Sequence, residues 1–234
     1  MTAKEIPILF SPDMANAIYN GKDMTRRGIN RLIGFGRITE FSKSDTPGYD
    51  FCFRDKEMRL HDLTRAQVLE CCPYGKHGDF LWGRENGWER PHRTPATMRE
   101  GADTWPPYIY DADGFEKDEL KREGWKRRPS IHMPRWASRI LLEVTEVRIE
   151  RLQDISHGDA LSEGVLNYTD WMTPEYKEQC ETARITGTEP PLGFSPPQRF
   201  QHLWDSINGP SAWDANPFVW VISFRRIDLE PQET

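Results

Sequence analysis

The chain has 234 residues, enough for one sizeable core, and its 37% hydrophobic content with nine tryptophans fits a packed globule in which 18 prolines and 17 glycines require many turns. A formal charge of −6 excludes a protein that coats nucleic acid through bulk electrostatics, although residues 121–139 hold seven basic groups and one acid, +6 against −12 elsewhere. No apolar run reaches ~18 residues, the cysteines lack CxxC spacing, and Met1 to Pro7 has no basic, apolar leader. The expectation is a cytoplasmic protein with reduced thiols, no membrane span, no metal and no cofactor.

Ile6 to Phe10 reads as a first strand. Ser11-Pro12-Asp13 supplies an N-cap with proline at the first helical position, which predicts a short helix carrying Met14, Ala17 and Ile18. That helix delivers Asn20-Gly21-Lys22-Asp23-Met24-Thr25-Arg26-Arg27, read as a turn and loop whose glycine and cationic side chains suit an anion or another polar ligand. Arg37–Phe41 and Asp50–Arg54 read as paired strands, and Thr64–Cys71 as a brief helix. A glycine-rich turn from Cys72 to Asp79, with Asp79 fixing Gly78, leads into a strand at Phe80–Arg84, where Trp82 is a core anchor.

From Asn86 to Pro134 neither strand nor helix periodicity is sustained, so residues 86–137 read as an irregular insertion. Ser138–Glu150 is the clearest strand, and Asp154–Gly164 a capped helix ended by glycine. Residues 167–195 read as a second irregular insertion. Phe200, Leu203, Trp204 and Ile207 then form a core-facing stripe on a helix over Pro196–Ile207, and Pro217–Arg225 closes the fold as a strand.

The order of a Gly21-Lys22…Thr25-Arg26-Arg27 segment, Gly78-Asp79…Trp82…Arg84-Glu85, Ile155…Ala160…Glu163-Gly164, and a terminal Trp220…Ile222-Ser223-Phe224-Arg225-Arg226-Ile227 strand resembles the ASCH domains of the PUA-like superfamily. In particular it resembles the long ASCH proteins carried by phages and prophages. The resemblance spans about Ile8 to Ile227. It implies an α+β fold: a PUA-like mixed β-barrel with short flanking helices, one domain over residues 1–234 with the insertions at about 86–137 and 167–195. It also implies recognition of RNA, single-stranded DNA or a modified nucleoside in a phage accessory role. Some short members hydrolyse N4-acylated cytidine with a lysine, a threonine and a glutamate, roles that fall on Lys22, Thr25 and Glu163. Asn20 and Asp23 stand where those members commonly have glycine and threonine.

From the residues alone, a desolvated Lys22 would accept the Thr25 hydroxyl proton while Glu163 orients water or the leaving amine. The alternative is an ordinary Lys22–Glu163 ion pair with Thr25 capping a turn. Arg26, Arg27 and Arg84 suit binding, since a guanidinium stays charged and donates paired hydrogen bonds; Glu85 would neutralise one of them, with an Arg84–Glu85 pair the leading choice. Lys126, Arg127, Arg128, Arg135 and Trp136 combine cations with aromatic faces, as unstacked single strands require. The expected activity is therefore nucleic-acid or modified-nucleobase recognition. An amidohydrolase or nuclease, and an accessory protein that binds a host protein through its aromatic insertions, are the alternatives.

Overall fold

The structure, a computed structural model, describes residues 2–90, 108–165 and 193–227, together with residues 178, 179, 182, 185 and 186. The first strand, β1 (Glu5–Leu9), is followed by helix α1 (Pro12–Tyr19). The Ser11 hydroxyl caps α1 by accepting the Met14 N–H at 3.3 Å, and its buried face is Met14, Ala15, Ala17 and Ile18. Strands β2 (Met24–Gly28), β3 (Arg31–Leu32), β4 (Gly36–Lys43), β5 (Phe51–Asp55) and β6 (Leu60–Leu63) come next, then α2 (Arg65–Glu70) with a Thr64–Gln67 capping box.

Strand β7 (Phe80–Arg84) precedes a group of short elements: β8 (Gly87–Glu89), β9 (Tyr108–Tyr110), α3 (Lys117–Arg122) and β10 (Lys126–Arg128). The long strand β11 (Leu141–Arg151), helices α4 (His157–Ser162) and α5 (Pro196–Asn208), and the strand β12 (Phe218–Ile227) complete the described chain.

The strands form three sheets: five strands in the order β1-β7-β11-β12-β2, four in the order β3-β4-β5-β6, and three in the order β10-β8-β9. Among the described strands only β1 and β7 pair in parallel. Strand β12 is buried on both faces, and this sets the layering. Phe218, Trp220, Ile222 and Phe224 enter the main core with Phe51 and Phe53 of β5, the Phe51 and Phe218 rings meeting edge-on at 5.2 Å. Val219 and Val221 face a second core with Ala160 of α4 and Phe200 and Trp204 of α5. Each large side chain so buried contributes about 1.5–3 kcal/mol.

The chain is thus mixed α+β, as expected. The outer strands of the five-stranded sheet, β1 and β2, are bridged by Arg27, whose Nη2 donates to the Leu9 carbonyl at 2.9 Å. No ladder of backbone hydrogen bonds closes the sheets into a barrel among the described residues.

Three expectations change. The Lys22–Arg27 segment is a loop only as far as Asp23; Thr25, Arg26 and Arg27 lie on β2, paired with Ile222, Val221 and Trp220. Its strand character is hidden because polar side chains occupy the buried positions. The stretch 86–137 is not irregular: its described part builds the three-stranded sheet and a small core of Trp88, Ile109, Leu120 and Trp125. Strands of three residues are too short to show alternation. The strand expected at Ser138 begins at Leu141 instead, because Arg135–Ala137 forms a 3₁₀ turn.

The stretch 167–195 lies largely outside the described residues, as does Cys180. Cys52, Cys71 and Cys72 are free thiols, and burial pushes the Cys72 thiol up to about 12. No helix among the described residues is long and apolar enough to cross a membrane.

Candidate functional site

The end of α1 determines where Lys22 goes. Gly21, at φ +96°, turns the chain back so that the Lys22 N–H donates to the Ala17 carbonyl at 2.9 Å. The next residue ties this turn to the end of α4, the Asp23 N–H donating to the Ser162 carbonyl at 3.2 Å. On the other side, Ser156 caps α4 by accepting the Asp159 N–H at 3.0 Å, and the helix ends at Glu163 before Gly164 in the left-handed region. Two local stop signals therefore bring Lys22 and Glu163 face to face.

Lys22 Nζ donates to Glu163 Oε2 and to the Glu163 carbonyl, each at 2.6 Å. Lys22 and Glu163 are 3% and 2% exposed, so the pair is removed from water. Burial pulls the Lys22 ammonium below the ordinary lysine range, against the opposing charge and hydrogen bond of Glu163. Arg26 joins from β2: its Nη1 lies 3.5 Å from Glu163 Oε1, and its Nη2 donates to Asp159 Oδ2 at 2.7 Å and Glu150 Oε2 at 3.2 Å. Arg148 also donates to Asp159, at 2.9 Å. Burial alone would raise the Asp159 carboxyl, but the hydrogen bonds and charges of Arg26 and Arg148 hold it below the usual carboxylate range.

A cavity of about 60 Å³ opens beside this network, lined by Lys22, Thr25, Arg26 and Glu163 and walled by Phe200 and Trp204 of α5. Thr25 Oγ1, Arg26 Nε and Trp204 Nε1 are buried and have no hydrogen-bond partner among the described residues. Buried polar atoms are nearly always paired, and these three lie on residues that line one cavity; Arg84 Nε and Trp220 Nε1, away from it, also have no partner among the described residues. Of the residues singled out in the sequence, Lys22, Thr25, Arg26, Arg27 and Glu163 line this cavity and Arg84 does not. Sequence reasoning missed Trp204, read as core; the residue is both core and cavity wall, and the only cue was an indole N–H that needs an acceptor.

Arg27 lines the same cavity and also a larger cleft of about 510 Å³ between β1 and the β2–β3 segment. Its guanidinium stands 5.7 Å from the Phe10 ring. Asn30, Arg31 and Tyr74 line this cleft as well, and none carried a motif in the sequence.

The remaining predicted binding residues lie elsewhere. Arg84 stacks on Trp82 at 4.7 Å and donates to the Ile131 carbonyl at 3.2 Å; it does not pair with Glu85. Glu85 is taken by Arg139, at 2.9 and 3.0 Å, a partner 54 residues away. Arg135 shares the Trp82 face at 5.8 Å and pairs with Glu5 at 2.7 Å. On β10, Lys126 is exposed, Arg127 pairs with Asp111 at 2.6 Å and Arg128 pairs with Glu89. Trp136 is 59% exposed. None of these residues lines the cavity. Three of the guanidiniums already have carboxylate partners, so the strip carries less free charge than its composition implies.

In comparisons with known proteins, no family model, no curated protein and no solved structure matches the chain.

Proposed function

We propose that the chain recognises a nucleobase of single-stranded nucleic acid in the cavity at Lys22, Thr25 and Glu163, as an ASCH-like member of the PUA-like superfamily. The observation that carries this reading is the set of unpaired buried polar atoms, Thr25 Oγ1, Arg26 Nε and Trp204 Nε1, around one small cavity. A base edge offers donors and acceptors in a plane, and a hydroxyl beside two N–H donors matches such an edge better than it matches a bare charge. At ~30 Å³ per water, about 60 Å³ holds roughly two waters, room for the edge of a base but not for a sugar and phosphate. The Arg27 bridge between β1 and β2 supports the PUA-like barrel reading, because it joins the two strands that would meet in a closed sheet.

The test is a panel of unmodified and modified nucleosides with short RNA and DNA single strands, screened for binding and for turnover. Binding of a strand that one nucleoside displaces supports the reading; a panel with no binder overturns it.

A second reading is hydrolysis of an N4-acylated cytidine, favoured by the lowered pKa of Lys22. Lys22 would take the Thr25 proton, the oxygen would attack the acyl carbon, the protonated amine would leave, and water would release the acid. Against it, Lys22 Nζ is engaged by Glu163 and Thr25 Oγ1 has no partner among the described residues, so Lys22 must first exchange partners. Lys22→Arg separates the readings: it retains charge but not a tunable amine, and turnover by wild type that vanishes in this variant while binding persists identifies the enzyme.

A further inference from the structure

The cleft of about 510 Å³ lies within the size range of small-ligand sites and adjoins the cavity through Arg27, which lines both. Its walls are the apolar residues Ile8 and Leu9 on one side and Arg27, Asn30 and Arg31 on the other, with Tyr74 between, and no carboxylate lines it among the described residues. At its rim Arg31 is directly opposite Arg37 in the β3–β4 ladder, with both side chains exposed. Side chains so paired share one face, Cβ atoms on the order of 5 Å apart, and like charges there repel. Neither arginine has an ion-pair or hydrogen-bond partner for its side chain among the described residues. The inward neighbours Leu32 and Ile38 are buried and hold the hairpin in register, and the Ile33 N–H donates to the Cys71 carbonyl at 2.8 Å, so the repelling pair is held in place.

We infer that this cleft binds phosphate, holding the backbone of a nucleic-acid single strand against Arg31 and Arg37 while one base enters the adjoining cavity. The inference rests on reading that cavity as a nucleobase site. It makes the ligand a strand rather than a free nucleoside: the cavity is too small for more than a base edge, and the cleft supplies cations and apolar walls for the nucleotide that continues from it.

The experiment compares wild type with an Arg31→Ala, Arg37→Ala double variant, using fluorescein-labelled short single strands of RNA and DNA across a salt series, with a mononucleotide, the parent nucleoside and inorganic phosphate as competitors. Both arginines are exposed, so the variant is expected to fold, which its circular dichroism and melting temperature verify. The expected result is a loss of about tenfold or more in strand affinity and a salt slope shallower by about 1.4, ~0.7 for each lost contact, with nucleoside binding unchanged. Unchanged strand affinity and slope in the folded variant would overturn the inference, as would wild type that binds no strand. A mononucleotide or inorganic phosphate that binds as tightly as the strand, with the same dependence on the arginines, would also overturn the strand assignment and place a free phosphate compound in the cleft. Failure of the cavity reading looks different: the strand binds with an arginine-dependent slope, yet no nucleoside binds or competes.

Discussion

Lys22 and Glu163 carry opposite charges away from bulk solvent, and Glu163 is the only carboxylate that Lys22 meets among the described residues. Glu163→Ala leaves a buried ammonium facing only a carbonyl and one guanidinium network, so urea denaturation should show a loss of about 3–5 kcal/mol. Lys22→Met combined with Glu163→Leu should recover most of that loss; a double variant as unstable as the single one would contradict the account. Lys22 also fixes a sign. Its folded pKa lies below the unfolded value of 10.5, so the unfolded chain binds the proton more tightly and stability rises with pH from the lowered value up to about 10.5. Lys22→Met should remove that rise in melting temperature; an unaltered pH profile would show that the shift is absent. That Lys22 and Glu163 end neighbouring helices was legible from the sequence because Gly21 and Gly164 are local stop signals, whereas Thr25 on β2 was singled out through the resemblance. The Glu85–Arg139 pair was not legible, because its partners are 54 residues apart and only the fold brings them together.

Four helices are legible because their start signals are local, with Ser11, Thr64, Ser156 and Ser195 at the N-cap positions, although α4 begins at His157 rather than Asp154; α3, in the stretch read as irregular, has no side-chain cap and gave no such signal. Short strands were read poorly, and the small sheet shows why. Its stability depends on a close approach that no pattern encodes: a Cβ on Gly87 would collide with the Ile109 carbonyl and the Tyr108 ring of β9. Gly87→Ala should therefore speed amide exchange in β8, β9 and β10 while β11 and β12 stay protected; uniform acceleration would mean that the sheets are not separable. The β5–β6 turn is a second local device. Asp55 accepts the Glu57 and Arg59 N–H groups and pairs with Arg59 and His61, and the His61 hydrogen bond, with Arg59's, holds its carboxyl well below the usual range. A lowered carboxylate stabilises above its ordinary 3.8 and ceases to do so in stronger acid, so Asp55→Asn should lower the melting temperature at neutral pH by an amount that shrinks below that value.

Two cores meet on opposite faces of β12, so losing either exposes the same strand. One cooperative unfolding transition is expected for them, and two well-separated transitions by circular dichroism and tryptophan fluorescence would contradict it. The same layering places α5 over β2, so that residues of what the sequence presented as a core stripe also wall the cavity. The claim that this cavity binds a nucleobase is reached most directly through Thr25. Thr25→Val keeps the shape of the side chain and deletes only a hydroxyl that is buried and bonded to nothing among the described residues. A purely structural hydroxyl without a partner costs stability, so the denaturation midpoint should stay level or rise, whereas affinity for the bound nucleoside or strand should fall about tenfold, the value of roughly one hydrogen bond. Titration of the folded variant that returns wild-type affinity, or a variant that loses stability instead of affinity, would contradict the account.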